Sequence, residues 1–361
     1  MLAWLHAQPW YQDYVAANTG EAILVLAQVF NAVMIATCKL LETDPDAVQT
    51  FNPFQILFAR MFITYVCCLV YMGVTKCVAE YPFGPANLRK LLLARGFFGF
   101  FGVFGLYYSL QYLSISDAVA ITFLVPMVTG LLAWVLIHER YSWTEAGCAL
   151  VSFFGVVLIA KPAFIFGTTE DEAGDTSENP EDDSVESSSS SLRLLATSVG
   201  LLGVMGASTV YVILRKIGMQ AHPLLSVSYF SLMTCVVSCI AIVVVPAYSF
   251  RLPESGYQWF LFMLIGFSGF IMQFCLASGV QRVRAGRASM MSYSNMVFAL
   301  ILDAVLWHHL PGLLSMLGIS LIIGMAVVVL RHKAADAVVD DPEAKDIPLN
   351  VFTDDEVDTT L

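Results

Sequence analysis

Apolar residues along this chain fall in long blocks, not at the alternating or 3.6-residue spacing of a half-buried strand or surface helix. The blocks lie at about 22–41, 54–74, 91–113, 117–137, 143–160, 194–214, 224–245, 257–280, 288–307 and 313–330. A block of roughly 20 apolar residues is long enough to cross a bilayer as a helix. The pattern therefore predicts an all-α membrane protein with ten transmembrane helices.

The blocks repeat. At a constant offset of 170 residues, Gly96, Phe97, Gly99, Phe100, Phe104, Gln111 and Ala118 meet identical residues at Gly266, Phe267, Gly269, Phe270, Phe274, Gln281 and Ala288. Leu132, Val135, Leu136 and His138 do the same with Leu302, Val305, Leu306 and His308, and Pro53 and Thr64 with Pro223 and Thr234. One hydrophobic unit is used twice. With five spans in each unit, an odd number, the second unit must enter the membrane from the opposite face, so the halves are predicted to be inverted. The expected organisation is a lead-in at 1–21, a first five-helix repeat at 22–161, an acidic Ser-rich linker at 162–193, a second five-helix repeat at 194–331 and an acidic tail at 332–361.

Composition agrees: 58% of residues are hydrophobic and 13% charged, extreme for a water-soluble chain. The net charge of -11 arises mainly in Glu170–Glu186 and beyond Asp336, so it describes two solvated, disordered segments and not a basic partner's docking face. Short-loop Lys and Arg mark the cytoplasmic side. With a cytoplasmic N-terminus, that side receives twelve (Lys76, Arg89, Lys90, Arg95, Arg140, Arg215, Lys216, Arg282, Arg284, Arg287, Arg331, Lys333) and the other four (Lys39, Lys161, Arg193, Arg251). Both termini are expected in the cytosol. Residues 1–20 carry no Lys or Arg but several aromatics, as an interfacial amphipathic lead-in would. The eight cysteines sit in or beside apolar blocks without disulfide or metal spacing and read as packing residues.

Charges inside spans are costly and mark function. Lys39, Arg60 and Asp303 lie within spans at depths that agree to about one helical turn, so they could meet in one outer vestibule. Two readings stay open: Arg60 pairing with Asp303 to tie the halves while Lys39 snorkels, or Arg60 and Lys39 contacting an anionic substrate. Uncharged polar residues extend the candidate site: Asn31 with Gln28 in the first span, Thr122 in the fourth, Tyr211 with Ser208 and Thr209 in the sixth, Gln273 in the eighth, and Tyr293 and Asn295 with Ser292 in the ninth. Glycines at 96, 99, 102 and 105 read as packing positions, and Pro126 should kink the fourth helix. Arg282, Arg284 and Arg287 read as a topology signal contacting lipid headgroups, with an entry funnel for anionic solutes as the alternative. Neither GxSxG, HExxH nor Walker A occurs, so no catalytic residue, cofactor or metal ligand is assigned and an enzyme is not expected.

The segment Gln111–Ala120, Pro126, Leu131–Arg140 and Gly147 to Gly155 closely resembles the EamA-type repeat of the drug/metabolite transporter superfamily. The resemblance covers about 22–161 and 194–331. It implies ten helices in two inverted repeats around a central cavity lined by the first, third and fourth helices of each. By the same resemblance Arg60 matches a second-helix arginine, Pro126 the fourth-helix proline and Glu139 the glutamate closing that helix, where the second half has Phe230, Met296 and His309. Tyr293–Asp303 with Pro311-Gly312 is similar to G-type members of solute carrier family 35, whose relatives move organic anions or nucleotide-sugars.

The sequence thus reads as a transporter of a small, anionic organic metabolite by alternating access, in an unspecified membrane. Its expected partners are that solute and the lipid bilayer, with no nucleic acid and with a homodimer left open. The competing reading is a non-transporting scaffold that recruits partners through its cytoplasmic tail.

Overall fold

The computed structural model describes residues 19–42, 51, 53–78, 80–110, 112–113, 121–139, 143–160, 190–244, 252–253, 255–307 and 313–336. Among them every regular element is a helix: α1 (Thr19–Glu42), α2 (Pro53–Thr75), α3 (Arg89–Leu110), α4 (Val125–Ile137), α5 (Trp143–Ala160), α6 (Ser190–Ile217), α7 (Pro223–Val244), α8 (Gly256–Arg282), α9 (Ala285–Met290), α10 (Ser294–Trp307) and α11 (Leu313–Asp336). Six segments are long and apolar enough to cross a membrane: Thr19–Leu41, Phe54–Thr75, Leu194–Gln220, Pro223–Val244, Gly256–Arg282 and Ala285–Leu306. Val125–Ile137, Trp143–Ile159 and Leu313–Val329 are shorter apolar helices.

The duplication reappears as packing. α1 lies along α8, α3 along α6, α2 along α7 and α5 along α11. Exchanging the halves turns the first pair into the second and each of the others into itself, which is the signature of a two-fold relation. It holds at residue level. Gly96 packs on Tyr229 and Met233, while Gly266 packs on Ile63; Gly99 packs on Phe230, while Gly269 packs on Arg60. Each neighbour of the second glycine stands 170 residues before one of the first.

The contacts also define two ends of the bundle. Gly20 at the start of α1 touches Gly279 and Arg282 at the end of α8, so α1 and α8 run antiparallel. The ends of α4 and α6 meet the α8–α9 junction through Glu139, Arg215 and Ala285. This first end contrasts with a second end where α1 finishes and α10 arrives, joined by Lys39 and Asp303.

Four expectations change. The predicted ninth span is not one helix: α9 ends at Met290, a 3-10 turn covers Met291–Tyr293, and α10 follows. The hydroxyls of Ser289, Ser292 and Ser294 each donate to the carbonyl three residues back, at 2.8, 2.6 and 2.6 Å, and such bonds compete with the helical ladder. Pro126 does not kink a long helix, because Phe123-Leu124 form a turn and Pro126 occupies the first turn of α4, where its missing N–H costs nothing. The linker is shorter than expected, since α6 already begins at Ser190, and α11 runs on to Asp336 within the predicted tail. The lead-in at 1–18, the rest of the linker, His308-His309 and the tail beyond 336 lie outside the described residues.

Candidate functional site

The group that sequence position hid is Arg95. Counted among the cytoplasmic-rim cations by its place six residues into α3, it is instead 2% exposed. A rim arginine snorkels back toward the headgroups, and helical side chains lean toward their own N-terminus. Arg95 does the reverse: its Nη1 lies beside Gly99, one turn deeper. The absent side chain at Gly99 makes room for it and for the Phe230 ring, over which the guanidinium stands at 4.4 Å. Nη2 donates to Gln273 Oε1 at 3.2 Å, and Nε is buried without an acceptor. Among the described residues no carboxylate pairs with Arg95. Removing a cation from water costs several kcal/mol, and a neutral amide with one ring face offsets only part of that.

Other polar groups gather round it. Arg60, on the facing helix α2, lies against Gly269 of α8. Gly269 is the middle residue of Gly256–Arg282, about 20 Å from either end at the helical rise, and Gln273 is one turn further on. Leu57 and Met61, which flank Arg60 on α2, pack on Phe230, the ring beneath Arg95. Tyr211 of α6 is 8% exposed and lies close to Arg95 and to Ser292 in the α9–α10 turn. Asn295, three residues on from Ser292, buries its Oδ1 without a donor. Arg95 thus faces an amide and a phenol from the second half, and Arg60 lies against α8 one turn before that amide, deep in the bundle.

Of the predicted site residues, the structure brings Arg60, Tyr211 and Gln273 into this cluster and leads Asn295 away from it along α10. Tyr293 serves packing: its hydroxyl donates to the Phe123 carbonyl at 2.9 Å and its ring lies 6.1 Å from that of Phe123, its equivalent in the first half. Lys39 and Asp303 form an ion pair of 2.9 Å at the second end, with side chains 50% and 30% exposed. Asp303 thus takes Lys39 as a partner at the second end. Asn31 is half-buried on α1, and Thr122 occupies a short helical turn ahead of α4.

The first end is held by buried and half-buried polar contacts, most of them between the halves. His138 ends α4 in the left-handed region at φ 54°, which swings Glu139 off the helix. Glu139 accepts from Arg215 Nε at 2.8 Å and from the Ala285 N–H at 3.0 Å. Arg287 donates to Glu145 Oε1 at 2.6 and 3.0 Å, with both side chains below 10% exposure. Arg287 is therefore a buried partner of Glu145 and not a headgroup contact. Gln281 Nε2 donates to the Ala221 carbonyl at 3.2 Å.

A model of the EamA-like transporter family matches residues 18–161 and 194–331. The chain is 46% identical over 327 residues to a probable transport protein of Saccharomyces cerevisiae, covering 90% of this chain and 92% of that one. It is 30% identical over 268 residues to solute carrier family 35 member G1 of Homo sapiens, covering 74% and 67%. One solved crystal structure superposes on 91% of this chain and 100% of its own at a TM-score of 0.65, with 17% sequence identity, a likeness of fold alone.

Proposed function

The chain belongs to the EamA-like transporter family, an integral, multi-pass membrane protein, and from that premise we propose that it carries a small organic oxyanion by alternating access. Arg95 carries the reading. A guanidinium buried deep in the bundle, with no carboxylate beside it among the described residues, is an uncompensated charge, and an oxyanion arriving between Arg95 and Arg60 supplies the missing charge. Tyr211 and Ser292 are the neutral groups that orient it.

The two-fold helix pairing and the odd number of apolar blocks per half support inverted repeats and ten crossings, with the bound anion near the middle. The excess of Lys and Arg supports a cytosolic first end and cytosolic termini. Glu139–Arg215 and Glu145–Arg287 then close the cytosolic side, and carrying the anion inward requires these pairs to separate as the halves rock.

The test is flux in liposomes holding the purified full chain, against protein-free vesicles, with labelled carboxylates and phosphate esters offered one at a time. Flux of at least one anion, lost in Arg95→Ala and reduced in Arg60→Ala at equal protein incorporation, is expected. Undiminished anion flux in both variants, or no flux of any anion offered beyond protein-free vesicles, overturns the proposal.

A further inference from the structure

Arg95 and Gln273 belong to opposite halves and hold the single direct hydrogen bond that Arg95 makes to another side chain among the described residues. We propose that Gln273 is a place-holder for the substrate: its amide oxygen occupies a donor of Arg95 that an oxyanion takes on binding, and the exchange sets the protein's selectivity for oxyanions. The inference rests on the anion-binding reading of this same site.

The geometry supports it in three ways. Phe230 covers one face of the guanidinium, so a ligand must come in along the edge, where the N–H groups point. On that edge Nε has no acceptor and Nη2 holds only Gln273. Nε and Nη2 together form the fork that a carboxylate or phosphate grips with two parallel hydrogen bonds. The existing bond is also easy to displace. At 3.2 Å it is at the long limit for N–H···O and its acceptor is neutral, whereas a bond from guanidinium to an ionised oxygen is roughly twice as strong. An oxyanion wins this exchange, while a neutral solute, offering an acceptor no better than the amide already there, does not. Selectivity follows from what the ligand must outcompete. When Gln273 lets go, α3 and α8 also lose a hydrogen bond across the halves, so occupancy loosens the seam that must open.

The experiment uses the full chain in detergent and follows thermal unfolding with inorganic phosphate and with succinate, against sodium chloride at matched ionic strength. A ligand that binds the folded state raises the melting temperature. For the wild type, a rise with phosphate or succinate beyond that with chloride is expected. Gln273→Glu, which installs a permanent oxyanion at nearly unchanged shape, raises the melting temperature without ligand and removes the response. Gln273→Ala, which deletes the competing acceptor, keeps the response and shifts half-saturation about tenfold lower, the equivalent of one hydrogen bond to a charged group. Arg95→Gln abolishes the response.

A wild type that responds to neither anion beyond chloride, or a response that survives Arg95→Gln, overturns both this inference and the anion reading. A response lost in Arg95→Gln but unchanged in Gln273→Glu overturns the place-holder role alone. A response lost in Gln273→Glu without the gain in unliganded stability also overturns it, because the glutamate then acts by damage and not by filling the fork.

Discussion

Replacing Arg95 by Met separates a functional cation from a structural strut. The hydrogen bond to Gln273 at 3.2 Å contributes at most about 1.5–3 kcal/mol, as bonds to charged groups do, and its length puts it at the low end. The stacking over Phe230 at 4.4 Å adds up to about 2 kcal/mol in a desolvated setting. Against these stands the desolvation of a guanidinium that is 2% exposed, which is several kcal/mol even after relaxation. Methionine is unbranched, of similar reach and adaptable in shape, so it fills the space beside Gly99 without the charge. The balance predicts that Arg95→Met is neutral or stabilising by about 1–4 kcal/mol, the range found when buried charges give way to apolar side chains of similar volume, while anion flux is lost. Thermal unfolding in detergent reads the first effect and liposome flux the second. A marked fall in melting temperature with flux retained would refute the reasoning, because Arg95 would then be holding the helices together.

Three further outcomes follow from the packing. Gly105→Ala places a methyl carbon 2.6 Å from Gly203 Cα and 3.0 Å from the Val199 carbonyl, all backbone, and should cost about 1–3 kcal/mol as overpacking does. Gly147→Ala, with nothing within 4 Å, should gain up to about 1 kcal/mol in helix propensity, and equal melting temperatures for the two would contradict the close α3–α6 seam. Arg287→Met, which strands the buried Glu145, should destabilise by about 3–5 kcal/mol, and adding Glu145→Met should recover most of it; a double variant no better than the single shows that the pair is not the cause. His222, between α6 and α7, is held below its ordinary value of 6.5 by burial and by the Arg282 charge, and its Nδ1 accepts from the Leu224 N–H at 3.4 Å. The folded state resists protonation that the unfolded state accepts, so its share of stability is present above pH 6.5 and lost as pH falls through the lowered value; unfolding scans between pH 7.5 and 5 (~2.5 units around that pKa) should flatten in His222→Gln.

Much of the fold could be read from the chain because apolar blocks and a fixed offset carry topology directly. The offset that matched Gly96 with Gly266 and Gly99 with Gly269 also matches their packing neighbours, Ile63 with Met233 and Arg60 with Phe230. Depth along a helix is legible in this way, but the direction of a side chain is not. Arg95 sits where positive residues usually mark a rim, and only the gap at Gly99 and the ring of Phe230 turn it inward. A signal existed: a glycine four residues after an arginine clears the path that side chain would need to reach deeper. The break in the ninth span was harder to see, since it needs neither Gly nor Pro and comes from serines bonding their own backbone. Those serines leave Ser292 facing Tyr211, which no spacing rule announces.

The duplicated architecture explains why chemistry collects where the copies disagree. Residues that match across the offset are mainly glycines and apolar groups that let helices approach, and they must serve both halves alike. At the places that differ, one copy carries charge or polarity and its mate does not: Arg95 against Ile265, Arg60 against Phe230, Gln273 against Val103, Tyr211 against Leu41, Asp303 against Ala133. A two-fold site of identical cations would place four guanidiniums together and repel itself in a low dielectric. Keeping both arginines on the first half and neutral partners on the second avoids that repulsion. Under the anion carrier proposed above, one side of the ligand is then bound by charge and the other by dipoles, so when the halves rock it would travel with the arginines, and its release would depend on the weaker, neutral half letting go first.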